Sequence, residues 1–133
     1  MKTTSLFLII ALICCFNVQA YSQSEQGSND IARLIKNGNS RELAKHFNVT
    51  LQLTLPGNEG RYSRTQAELI IRDFFSKYPP KSFDISHQGS SSDGSKYYIG
   101  VYKSNKTTFR SYFLIKQVSE KALIHQLRFE EDD

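Results

Sequence analysis

Two histidines, His87 and His125, sit on apolar rows of segments that alternate like β-strands, as do Tyr97 and Ser111 on two others. An imidazole facing a pocket can take a proton from a substrate, and a phenol beside it can polarise a carbonyl. His87, Tyr97, Ser111 and His125 are therefore the pocket candidates. Their rows hold no carboxylate: Asp84 falls on the opposite row of its segment, and Glu68 and Asp73 lie off the apolar stripe of their helix. A base must reach its proton, so no catalytic residue is assigned. A small lyase or isomerase using a pocket histidine stands as the alternative to a non-enzymatic binding role. Partly buried histidines with ordinary hydrogen bonds are the plainer reading.

A metal is not expected. His87 and His125 lie on the first and last of four consecutive strands, roughly 14 Å apart at about 4.8 Å per strand interval. Two ligands of one zinc must each come within about 2.1 Å of it. His46, late in the second helix, adds no ligand spacing. No cofactor is expected either.

Tyr98, Tyr102, Arg110, Tyr112, Lys116 and Arg128 fall on the opposite, outward rows of neighbouring strands. Tyrosine and arginine bring apolar area together with hydrogen bonding, as contact surfaces do. They are the interface candidates, and a homodimer through this face is one arrangement they allow. A solvated sheet back is the competing reading, because tyrosine also favours strands for packing reasons.

The elements that position these residues follow an N-terminal run of another kind. Lys2 precedes the apolar stretch "LFLIIALICCF", and Val18-Gln19-Ala20 fits the small-residue rule for signal cleavage. Residues 1–20 read as a signal peptide, too short in its apolar part for a comfortable span of about 20 residues. Cys14 and Cys15 lie inside that part, and neither follows the small residue that a lipidated cysteine requires. Cleavage near Ala20 discards both, and with them disulfides and thiolate chemistry. The expectation is an exported protein, periplasmic or secreted, with no membrane span after cleavage. The whole chain has 133 residues and a net charge of +4, with four of its 13 acids in the terminal "EEDD". Basic balance often signals nucleic acid; export argues against it, so no nucleic acid is expected.

After a polar lead over 21–28, Ile31, Leu34 and Ile35 recur at helical spacing and Gly38 suits a stop. Asn39 with Glu42 opens a second short helix. "NVTLQLTLP" alternates, placing Val49, Leu51, Leu53 and Leu55 on one face, and "RYS" begins a short return strand. Ser63-x-x-Gln66 and Thr65-x-x-Glu68, two overlapping capping boxes, then open the longest helix. Its stripe is Ala67, Ile70, Ile71, Phe74, Phe75 and Tyr78, and Pro79-Pro80 ends it. Four strands follow. The inward rows are Phe83, Ile85 and His87; Tyr97, Ile99 and Val101; Phe109, Ser111, Phe113 and Ile115; and Leu123, His125, Leu127 and Phe129. If Val101 lies opposite Phe109, Ser104-Asn105-Lys106 is a three-residue hairpin loop. The helix stripe should pack on the inward aromatics, leaving any cavity near Tyr97, His87 or His125.

The stretch "YSRTQAELIIRDFFSKYPPKSFDISHQGSSSDGSKYYIG" (62–100) and "IHQLRFE" (124–130) resemble the nuclear-transport-factor-2-like fold shared by ketosteroid isomerase and scytalone dehydratase. More narrowly, they resemble a bacterial family of exported domains of unknown function with that fold. The resemblance covers roughly residues 29–130, with 131–133 as an acidic tail. It implies an α+β domain: two short helices and one longer helix packed on a strongly bent, mainly antiparallel six-stranded sheet, with a pocket between them. It implies no single activity, because the fold hosts enzymes, ligand binders and assembly modules alike. The function expected is an exported, non-enzymatic ligand-binding or interaction domain whose partner is an unknown small molecule or protein.

Overall fold

The computed structural model describes residues 22–132, with side chains from Gly27 onward. The signal-like run with Cys14, Cys15 and the cleavage site lies outside the described residues. The chain divides into two compact units, Met1–Asp30 and Ile31–Asp133. The helices and the sheet belong to the second, apart from the opening turns of one helix.

Helix α1 spans Ser22–Lys36, starting ahead of the expected Asn29. Its first turns carry Gln and Glu, which favour helix without any apolar repeat, so periodicity alone cannot mark them. Gly38 closes α1 at φ +64°, with its N–H on Ile35 O and the Asn39 N–H on Leu34 O. Helix α2 is Ser40–Ala44, capped by the Asn39 side chain accepting from Glu42 N at 3.2 Å. Strands β1 (Phe47–Leu55) and β2 (Asn58–Ser63) form a hairpin. Helix α3 (Arg64–Lys77) opens with the expected capping box between Ser63 and Gln66. Strands β3 (Pro80–Ser90), β4 (Lys96–Ser104), β5 (Thr108–Val118) and β6 (Lys121–Glu131) complete the chain.

The six strands form one open sheet in the order β2-β1-β6-β5-β4-β3. Only the β1–β6 pair is parallel; the other pairs are antiparallel. One face carries the core. Ile31, Leu34 and Ile35 of α1, Leu43 of α2 and Ala67, Ile71, Phe74 and Phe75 of α3 share a buried cluster with the inward strand residues. Phe83, Phe109, Phe113, Leu127 and Phe129 belong to it as expected, and Ile70 and Ile85 pack at its margin.

Strand β4 reverses the expected faces. Tyr98 and Tyr102 are in the core, and Tyr97, Ile99 and Val101 point out. The cause is the hairpin. Tyr102, not Val101, lies opposite Phe109, and Ser104 N donates to Thr107 O, leaving Asn105 and Lys106 as the loop. Ser104 Oγ holds this turn, donating to Thr107 O at 2.7 Å and accepting from Thr107 N at 3.0 Å. Val101 therefore faces out beside Arg110. Gly100 lets the inner row close: a Cβ there would come within 2.8 Å of the Phe83 ring, which covers the glycine.

Bulges explain the other reversals. On β3 the register slips between Ile85 and His87, so Ile85 opposes inward Gly100 while His87 opposes outward Ile99. On β6 it slips opposite Leu114 and Ile115, turning Ile124 inward and leaving His125 beside outward Gln126. On β1 it slips between Phe47 and Gln52, and Val49 is 70% exposed.

Candidate interaction face

The helix-covered side is filled by aromatic rings around Phe74. Its ring centroid lies 4.9 Å from Phe129, 5.1 Å from Phe109, 5.4 Å from Tyr78 and 5.6 Å from Tyr102. Tyr102 is fully buried, and its phenol donates to Tyr78 O at 2.6 Å. Burial pushes the Tyr102 phenol well above the ordinary tyrosine range, so it stays a donor. Of the four pocket candidates only Ser111 faces this side. It is fully buried opposite Gly100 and Phe129, and its hydroxyl has no protein partner. A shallow groove of about 170 Å³ lies beside α3, with Ile70, Phe74, Tyr78 and Leu55 among its walls and Asp73 and Lys77 at its rim.

His87, Tyr97 and His125 all lie on the outer face, so the expected polar pocket is not assembled. His87 is exposed, with Nδ1 3.2 Å from Ser86 Oγ. His125 is half-buried with Nε2 enclosed. Burial first, then the charges of Lys116 and Arg61, hold its imidazole below the ordinary histidine value. Neither histidine faces Ser111, so the three cannot act on one substrate atom from these positions. Among the described residues no three His, Cys, Asp or Glu side chains converge as metal ligands.

The interface candidates divide as well. Tyr98 stacks on Phe113 at 4.8 Å inside the core, and Tyr102 is buried there too, so neither belongs to a contact surface. Arg110, Tyr112, Lys116 and Arg128 are on the outer face as expected. Simple alternation misses the residues that join them. Tyr97 lies flat over Gly89, where a Cβ would run into its ring. Its ring is 6.4 Å from that of Tyr112 with 20° between the planes. The Arg128 guanidinium is 5.8 Å from the Tyr112 centroid and 3.6 Å from Glu130. This gives a continuous row of flat π surface from β3 to β6. Ile99, Val101, Leu114 and Leu123 flank it, all half-buried. The double-tyrosine motif of β4 carried this signal, since one of two adjacent tyrosines must point out.

Three helices on one face of an open, mostly antiparallel sheet make an α+β protein with a nuclear-transport-factor-2-like fold. The neighbours agree: a protein named "Rd1NTF2_04 with long sheet" is 22% identical over 80% of this chain and 98% of its own, at TM-score 0.59. The chain belongs to the family described as "Domain of unknown function (DUF4783)", whose model matches residues 28–130. A family member from Bacteroides uniformis is 30% identical over 77% of this chain and 94% of its own, at TM-score 0.72. One from Bacteroides ovatus is 27% identical over 77% and 93%, also at TM-score 0.72. No protein of curated function matches the chain.

Proposed function

We propose that this domain is an exported, non-enzymatic interaction module that engages a protein partner with the outer face of its sheet. The observation that carries the reading is the aromatic and aliphatic surface of Tyr97, Ile99, Val101, Tyr112 and Leu114, set between arginines and lysines on an open sheet. Contiguous apolar surface rimmed by polar groups is a mark of interaction sites, and tyrosine and arginine dominate their energetics. Export rests on Lys2, the apolar run and Val18-Gln19-Ala20. The aromatic filling of the helix-covered side favours the outer face over a deep small-molecule cleft. The outward placement of His87 and His125 weighs against the alternative of a lyase or isomerase built on a histidine inside the cone.

The test is sedimentation of the protein in extracts of the cells that produce it. The wild type should sediment well above the mass of a single chain, which is at most the 15.2 kDa of the uncleaved sequence. Tyr112→Glu, which adds a charge on the outer face only, should sediment as the free chain with an unchanged melting temperature. A wild type that sediments as the free chain at native abundance overturns the reading.

A further inference from the structure

The charge around the outer face says what kind of surface it meets. The register places Arg61, Lys103, Arg110, Lys116, Lys121 and Arg128 on the outward rows of β2, β4, β5 and β6. The carboxylates on the same rows are Glu59, Asp84 and Glu130, with Glu130 engaged with Arg128, and Asp93 of the β3–β4 turn adjoins Lys116. Cations therefore outnumber anions around a centre that is uncharged and half-buried. His125 lies within this field: burial first, and then Lys116 and Arg61, disfavour its protonation. A second copy of this chain would bring the same excess of positive charge against itself, and like-charge juxtaposition opposes binding.

We infer that the occupant of this face is a different protein, apolar at the centre of its contact surface and acidic around it. The inference rests on the reading of this face as an interface and names the chemistry of its partner. The aliphatic flank decides between polymers. Ile99, Val101, Leu114 and Leu123 offer area to apolar side chains, which a sulfated or uronic glycan lacks. A lipid surface would also take a basic rim and apolar side chains, but insertion needs apolar groups that stand out of the surface, and these four are half-buried between their neighbours.

The experiment is an amide-shift titration of the cleaved, labelled domain with four probes: a Glu–Tyr random copolymer, polyglutamate, heparin, and phosphatidylglycerol vesicles. The copolymer should shift amides on β4, β5 and β6 around Tyr97, Tyr112 and Arg128, and bind more tightly than the other three. Its affinity should fall about tenfold on raising salt from about 50 to 300 mM, because the contacts are exposed charges. A similar loss is expected in Arg110→Glu/Lys116→Glu. If that variant unfolds, Arg110→Gln/Lys116→Gln should show the same direction. Tighter binding of heparin or vesicles at these amides overturns the inference, as does polyglutamate matching the copolymer. Concentration-dependent shifts of the same amides without any probe mean a homodimer: the acidic partner falls and the interface reading stands. Silence of this face in every arm, including self-titration, removes both.

Discussion

Among single residues, His125 shows how one extra position in a strand changes a side chain's chemistry. By alternation it belongs with Leu127 and Phe129 on the inner row. The bulge opposite Leu114 moves it to the outer face, between the fields of Lys116 and Arg61. Its imidazole is held below the histidine value of 6.5, chiefly by burial. The unfolded chain then takes up a proton before the folded one as pH falls. Stability is full above the unfolded pKa of about 6.5 and declines as pH drops through it, levelling off below the folded value. Chemical denaturation at about pH 7.5 and pH 5 should show a fall in midpoint for the wild type. His125→Gln should flatten that fall. Equal slopes for the two proteins would mean that other groups set the dependence.

Among the helices and strands, what was legible followed from patterns with one solution. The α3 stripe has a single apolar side, and of the two overlapping capping boxes at its start the one at Ser63 and Gln66 forms. Strand β5 also read correctly, because Arg110 and Lys116 mark its outer row unambiguously. Strand β4 did not, because Tyr97-Ile99-Val101 and Tyr98-Gly100-Tyr102 are both apolar rows. Only the hairpin decides between them, and loop length turns on a hydroxyl: Ser104 Oγ holds the tight turn that makes Tyr102 the partner of Phe109. Bulges at Ser86 and His125 were invisible for a related reason, since a strand with one added residue keeps its composition. Ser104→Ala removes the hydrogen bonds that fix the β4–β5 turn and should cost about 0.5–1.5 kcal/mol in equilibrium unfolding. A neutral effect would show that the strand pairing alone sets the register.

Taken as a whole, the molecule separates its two faces by chemistry. The helix-covered side uses its aromatics for packing: Phe74 touches the rings of Phe109, Phe129, Tyr78 and Tyr102 at once. Phe74→Ala should destabilise the domain by about 3–5 kcal/mol, since neighbouring rings cannot collapse into the space left behind. A loss below about 1 kcal/mol would mean that the cluster is loosely packed and the helix-covered side more open than the ring distances imply. The outer side keeps Tyr97, Tyr112 and Arg128 for contact instead. Alternation in the sequence points to such a face and to four of its residues, Arg110, Tyr112, Lys116 and Arg128. It cannot show that Tyr97 and Ile99 join them, because that depends on the length of the β4–β5 turn.

The proposed role stands or falls with the outer sheet face, not the helix side, meeting the partner. Site-specific photo-cross-linking in the producing cells decides between the two sides. A benzophenone side chain is placed at Leu114 on the outer face or, as control, at Leu69, which is 46% exposed on α3. A discrete covalent adduct to another protein at Leu114, absent at Leu69, is the expected outcome. An adduct at Leu69 with none at Leu114 would overturn the proposal and move the interaction surface to the helices.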